Sequence, residues 1–330
     1  MKLTMVIDCQ FGSTGKGKVA DYLLNGERKF EAGICDFGPN AGHTIYHPLR
    51  GKIVLKQLPV ACLHRLPCFI GPGAVIDPVR LCEEIQEHDA EVYIHPNAMI
   101  LKSHHKEWEQ ENLVYLSSTG QGVGAAVASK IRRERGTVLA GEDEVLSQFT
   151  FLYHHRWKLL LNSDAHVLGE SAQGYGLSID SQFYPYTTSR NVNVPAVLDR
   201  FGGVHPSHLY ETVGVYRTYP IRVGNWEKDG VCGWSGAVYD DQKELNWEDL
   251  GVKSEITTVT NRVRRVFTWS AEMYKETLDI IKPDVVVINF MDYVEKRLWE
   301  DWLETNVIRS GIKVIASDGP GPNDFWEVTV

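Results

Sequence analysis

The stretch CQFGSTGKGK, residues 9–18, interleaves Gly12, Gly15 and Gly17 with Lys16 and Lys18 directly behind an apolar run. Glycines at such a junction let backbone N–H groups face an anion, and a helix starting there adds its dipole. With two lysines supplying point charge, the stretch reads as a phosphate-binding loop. Its spacing departs from GxxxxGK[ST], so the ordinary Walker arrangement is not implied. A second loop, GPNAGHTIYHP at 38–48, places Asn40, Gly42 and His43 between small residues. A histidine there could act as a general acid or bind phosphate, although alone it would read as a structural loop residue.

Three later stretches add donors. In SSTGQGVGAAVASKIRRERG, 117–136, a Thr-Gly-x-Gly turn suited to phosphate leads into a helix bearing Lys130, Arg132, Arg133 and Arg135. Taken alone, that helix is a solvated basic face. In ESAQGYGLSIDSQFYPYTTSRN, 170–191, Gln173, Thr187, Thr188, Ser189 and Arg190 are dense in groups that suit a nucleobase or phosphate. In TTVTNRVRRVFTW, 257–269, hydroxyls precede Arg262, Arg264 and Arg265, and arginine forks suit bidentate capture of a carboxylate or phosphate. The pairs His104/His105 and His154/His155 lack companions at metal-ligand spacing and read as surface residues.

These loops need strands and helices to hold them. The run at 3–8 reads as a buried strand, the glycine loop follows, and 16–25 reads as a helix. Further strands are expected at 90–96, 165–174, 283–290 and 311–322, each running into a polar or glycine-containing loop. Helices are expected at 78–88 and 292–305, and 225–247 reads as a long surface excursion. This alternation implies an α/β fold with a mostly parallel central sheet flanked by helices, as one domain over 1–330.

Composition narrows the function. The chain is 43% hydrophobic and carries a formal net charge of −9, so its surface as a whole repels nucleic acid and anionic membrane. An anionic substrate must therefore be held by a local basic cluster. The six scattered cysteines include no CxxC pair and imply reduced thiols in a cytoplasmic protein, and no run is long enough to span a bilayer.

In order along the chain, GSTGKGK, NAGHT, GPGAVIDP, STGQGVG, ESAQG, YPYTTS, RTYPIRVG and TTVTNRVRR resemble the adenylosuccinate synthetase family over nearly the whole sequence. The length is similar to the compact archaeal-type branch. The resemblance implies a P-loop-related fold and an NTP-dependent C–N ligase. In that family a nucleoside triphosphate phosphorylates O6 of a 6-oxopurine nucleotide, and aspartate's amino group then displaces the phosphate at C6. It implies Mg2+ at Gly42 and Ser13, with Ser13, Lys16 and His43 at the reaction centre. Donor and phosphate contacts would come from Gly12, Ser13, Thr14, Gly15, Lys16, Gly17, Lys18, Gly42, His43, Thr44, Asn289, Asp292, Ser317, Gly319 and Pro320. The purine nucleotide would meet Ser13, Asn40, Ser118, Thr119, Gln173, Thr188 and Arg262, with Arg133 reaching it from the partner subunit of a homodimer. Aspartate would meet Thr257, Thr258, Val259, Thr260, Arg262 and Arg264.

Two positions depart from the family pattern. The family's loop carries an Asp that takes the purine N1 proton, and Ser13 stands there, followed by Thr14 in place of Glu. With IMP as substrate, losing that base would forfeit roughly 10²–10⁴-fold. Shortening Asp to Ser makes room for a guanine 2-amino group. The pattern resembles the family's phage-type branch, which makes 2-amino-2′-deoxyadenylosuccinate from dGMP and L-aspartate, leading to diaminopurine in phage DNA. The second departure is Phe290 in the lysine position of the T-K-x-D element, with Asp292 kept. That favours ATP or dATP as donor and leaves GTP open. The alternatives are an ordinary synthetase acting on IMP with GTP, and a nucleotide-binding protein without activity.

Overall fold

The computed structural model describes residues 1–228, 230–257, 261–307 and 311–328, so Thr258, Val259 and Thr260 of the expected aspartate loop lie outside the described residues. Its frame is a nine-stranded sheet: β1 (Lys2–Asp8), β2 (Ala32–Cys35), β3 (Cys68–Ile70), β4 (Val92–Ile94), β5 (His166–Gly174), β6 (Leu209–Arg217), β7 (Val285–Asn289), β8 (Lys313–Ser317) and β9 (Phe325–Glu327). The order across the sheet is β9-β8-β7-β6-β1-β5-β2-β3-β4, parallel throughout except between β8 and β9. The central strands are apolar on both faces. Leu3, Met5 and Ile7 of β1 enter one core while Val6 enters the other, and Val286 and Ile288 of β7 alternate with Val285 and Val287. That two-sided burial is what a parallel sheet covered by helices requires.

Because the strands run parallel, their carboxyl ends share one edge. Asp8, Gln173, Arg217, Asn289 and Ser317 all stand at or beside strand ends there, where ligands of open α/β sheets bind. Of the first four helices, α1 (Lys16–Asn25), α2 (Pro78–His88), α3 (Ser103–Asn112) and α4 (Val123–Arg132), all but α2 contribute residues to the cavities at this edge. The helix α1 begins where the sequence places it, as does α2.

Three expectations need correction. The helix expected at 292–305 begins only at Trp299 and ends at Asn306. Met291 and Val294 are drawn into the core, so the chain first hugs the sheet end in two 3-10 turns, Met291–Tyr293 and Lys296–Leu298. The segment 225–247 is no simple surface excursion, since Tyr239 and Trp247 are buried. The indole N–H of Trp247 donates to the Arg264 carbonyl at 2.8 Å, wrapping this segment around the arginine loop. His105 is buried as well, its Nδ1 accepting from the Lys102 N–H at 3.1 Å. Burial pushes its imidazole down to about 4, with His104 adding to the shift. All six cysteines are free, and among the described residues no helix is long and apolar enough to cross a membrane.

Candidate active site

The glycine loop is built around an internal anion. Asp8 ends β1 fully buried, accepting from the N–H groups of Gln10 (2.9 Å), Gly12 (3.2 Å) and Thr14 (3.3 Å) and from the Thr14 hydroxyl (2.6 Å). Lys16 reaches the same carboxylate at 3.3 Å and donates to the Gln173 carbonyl of β5 at 2.8 Å. The loop's curvature demands left-handed backbone: Gly12 and Gly15 have φ of 89° and 90°, and Ser13 has 55°. A Cβ on Gly15 would lie 2.8 Å from the side-chain nitrogen of Asn289, and one on Gly17 would lie 3.1 Å from the His43 Cβ. Glycine at 17 is thus what lets α1 start against the histidine.

Two cavities open at this edge, of about 720 Å³ and about 570 Å³. They share a wall that includes Phe11, Asn40, Thr119, Gln173 and Arg222. The smaller is lined by Gly12 through Lys18, Gly42, His43, Thr44, Thr257, Arg264, Asp292, Gly319 and Pro320. The larger takes Ser118 and Thr188. The fold therefore brings most of the expected residues into one continuous cleft, the phosphate loop at one end and the hydroxyl-rich loops at the other.

Several expected residues are placed otherwise. Asn289 is fully buried behind the loop, its amide donating to the Thr14 carbonyl at 2.7 Å, and it lines neither cavity. The amide-rich start of α4 is already occupied. The Glu109 carboxylate of α3 accepts from Gly122 (2.7 Å), Gly124 (2.7 Å) and Ala125 (3.3 Å), so this helix end offers no free site to a phosphate. Arg133, expected to act in a partner subunit, is the exposed left-handed cap of α4 and lines neither cavity, while its neighbours Arg132 and Glu134 line the larger one. Arg262 lines neither cavity and lies over the Trp226 ring at 5.2 Å, its backbone N–H donating to the Thr257 hydroxyl at 2.9 Å. Lys18, expected on phosphate, lines the smaller cavity and donates to the Ser317 hydroxyl (2.6 Å) and the Gly319 carbonyl (2.7 Å). Burial pushes its ammonium down to about 8, against the pull of Asp292, Asp324 and Asp318.

The reactive groups sit between these walls. Ser13 accepts from Arg264 Nη1 on its hydroxyl at 2.5 Å, and from Arg217 Nη1 on its carbonyl at 3.2 Å. Glu255 stands between the two arginines, bidentate to Arg217 and 3.8 Å from the Arg264 Nε, and Tyr293 donates to it at 2.9 Å. Burial pushes the Glu255 carboxyl up, but the two guanidiniums together hold it below the usual carboxylate range. The Phe290 ring lies 4.0 Å from the Arg217 guanidinium. His43 stacks on Phe37 at 4.0 Å, and its buried Nδ1 has no partner. Burial, with Lys16 and Lys56 adding and Asp36 opposing, pushes this imidazole down to about 3.

Sequence reading missed Asp8, Glu109, Arg217 and Glu255. Asp8 was visible as a lone acid closing an apolar strand before the glycines. The other three earn their places only through partners remote in sequence.

The model for the family described as adenylosuccinate synthetase matches residues 5–152 and 142–297. The N6-succino-2-amino-2′-deoxyadenylate synthase of Vibrio phage phiVC8 is 36% identical over 312 residues, covering 90% of this chain and 88% of that protein. The protein of the same name from Salmonella phage PMBT28 is 35% identical, with 89% and 86% covered. The solved structure of cyanophage S-2L succinoaminodeoxyadenylate synthetase, bound to dGMP and to dATP as an energy donor, superposes with a TM-score of 0.90. It is 32% identical to this chain, over 100% of this chain and 96% of its own.

Proposed function

Because the chain belongs to the adenylosuccinate synthetase family, we propose that it joins L-aspartate to C6 of dGMP, with an adenine nucleoside triphosphate as phosphoryl donor. The observation that carries this reading is Ser13, a short hydroxyl facing the cleft where the family's acid is expected. The phage synthases and the solved structure holding dGMP and dATP support it.

The chemistry runs in two steps. The donor's γ-phosphoryl passes to O6 as its bond to the β-phosphate oxygen breaks and the nucleoside diphosphate leaves, while N1 gives its proton to a phosphate oxygen or bound water, which makes O6 a competent leaving group. The neutral amino nitrogen of aspartate then attacks C6, phosphate departs with the C–O electron pair, and the nitrogen passes its surplus proton to that phosphate. Lys16 and the loop's backbone hold the phosphates, and His43 stabilises charge on O6 as a neutral donor. Arg264, and Arg262 beyond it, suit the aspartate carboxylates. Gly42 lines the same cavity and offers a hard carbonyl oxygen, whereas the Ser13 hydroxyl expected beside it already accepts from Arg264, and no group of three acids, histidines or cysteines able to hold a metal ion exists among the described residues. That set fits Mg2+ held mainly by donor phosphates, where it would neutralise charge on the transferring group. Arg133, exposed and lining neither cavity of its own subunit, completes the partner's nucleotide site in a homodimer. The enzyme works in the host cytoplasm.

Purified protein supplied with aspartate, Mg2+ and ATP should convert dGMP to the succinylated product, read by mass spectrometry. Turnover of IMP with none of dGMP would favour the ordinary synthetase instead. A second test concerns Lys18, which ties the phosphate loop to the 317–320 loop beside the donor base. Lys18→Met should raise the donor KM about tenfold, the effect of losing one good charged hydrogen bond. Inhibition by tripolyphosphate, which has no base, should hardly change. Equal weakening of both would mean that Lys18 acts on the phosphates rather than through the 317–320 loop.

A further inference from the structure

We infer that Glu255 is a positioning residue for purine choice: by holding Arg217 and Arg264 together it fixes Ser13 at both its carbonyl and its hydroxyl. The inference rests on the dGMP reading and deepens it. A serine hydroxyl has one proton to donate and two lone pairs to accept with, and by itself it rotates. An unfixed hydroxyl can turn its proton or its lone pair toward the purine C2 edge, so it discriminates poorly between an amino group and a bare C–H. Arg264 can only donate. Its Nη1 on the Ser13 oxygen therefore occupies one lone pair and restrains the rotor, leaving the other lone pair for a 2-amino group.

The backbone needs the same help. Ser13 is exposed and left-handed, at φ 55°, a conformation that the Arg217 bond to its carbonyl restrains. Arg217 is fully buried, and a buried guanidinium without a carboxylate would be strongly disfavoured. Two arginines converging on one serine also repel each other. Glu255 answers both problems at once, with Tyr293 fixing its carboxylate from a third side. Replacing Glu255 by glutamine removes the charge between the guanidiniums and sets an amide N–H against them. The arginines then separate and the hydroxyl regains its freedom.

The test is a cycle over wild type, Glu255→Gln, Ser13→Ala and the double variant, each assayed with dGMP and with dIMP, which differ by the 2-amino group alone. The ratio of kcat/KM for dGMP to that for dIMP should fall about tenfold in Glu255→Gln, as expected for one misplaced hydrogen bond. In the Ser13→Ala background the same change should leave the ratio where it was. An equal loss for both purines, or the same ratio change in both backgrounds, would overturn the inference. Should Glu255→Gln fail to fold, Tyr293→Phe removes one bond to Glu255 and should shift the ratio two- to threefold in the same direction; no shift overturns it. The wild-type arm stands apart: no dGMP turnover there sinks the functional reading itself.

Discussion

Ser13→Asp exchanges the substrates: kcat/KM for dGMP falls about 10–100-fold, and that for dIMP or IMP rises roughly 100-fold or more. The loss comes from crowding. A carboxylate long enough to reach N1 overlaps the 2-amino group of guanine, and forcing extra atoms into a fitted site typically costs about 1–3 kcal/mol. The gain comes from a base where the serine has none, since a positioned proton acceptor contributes roughly 10²–10⁴-fold. The backbone tolerates the exchange, because aspartate visits the left-handed region more readily than most residues and position 13 has φ 55°. Arg264, which donates to the Ser13 hydroxyl, would pair with the new carboxylate and hold it in the cleft. Assaying dGMP and dIMP side by side decides the matter. Unchanged dGMP turnover with no gain for dIMP would remove Ser13 from substrate choice.

The legible part of this site was local. The glycine loop, the hydroxyl-rich turns and the strands that carry them are contiguous signals, and the sheet delivers them to one edge because parallel strands end together. What the sequence concealed is pairing across distance. Nothing near Glu255 announces that it meets Arg217 thirty-eight residues away, or that Glu109 caps α4. The Thr-Gly-x-Gly turn looked free for phosphate because its occupant sits on the preceding helix. The motif around Lys18 is equally silent on the hydroxyl and the carbonyl that its ammonium meets some three hundred positions later. Burial decides these assignments, since a charge withdrawn from water must find a partner wherever the fold supplies one. Burial also takes His105 inside as a neutral ring, and the buried rings of Tyr239 and Trp247 turn 225–247 from an excursion into a wall beside the arginine loop.

His43→Ala should lower kcat roughly 10²–10⁴-fold while the KM values for dGMP and donor move only a few-fold. The residue lies in the cleft wall beside the phosphate loop, braced on Phe37 and backed by Gly17. With its imidazole pushed down to about 3, it is neutral before substrate arrives and can serve as a preorganised hydrogen-bond donor. Phosphate bound alongside would pull that value back up, making the proton easier to hold as charge develops on O6. In the free enzyme, kcat/KM should therefore show no ionisation of this residue near pH 6.5. The stability consequence has a definite sign. The unfolded chain takes up a proton on this histidine below about pH 6.5, and the fold does so only near 3. Its contribution is complete above about 6.5 and is lost as pH falls toward 3, by at most about 1.4 kcal/mol per pH unit. His43→Asn should flatten the fall of Tm between pH 6.5 and 4.5 relative to wild type. If the variant instead kept both full kcat and the wild-type pH slope, His43 would be neither the O6 donor nor a buried neutral imidazole.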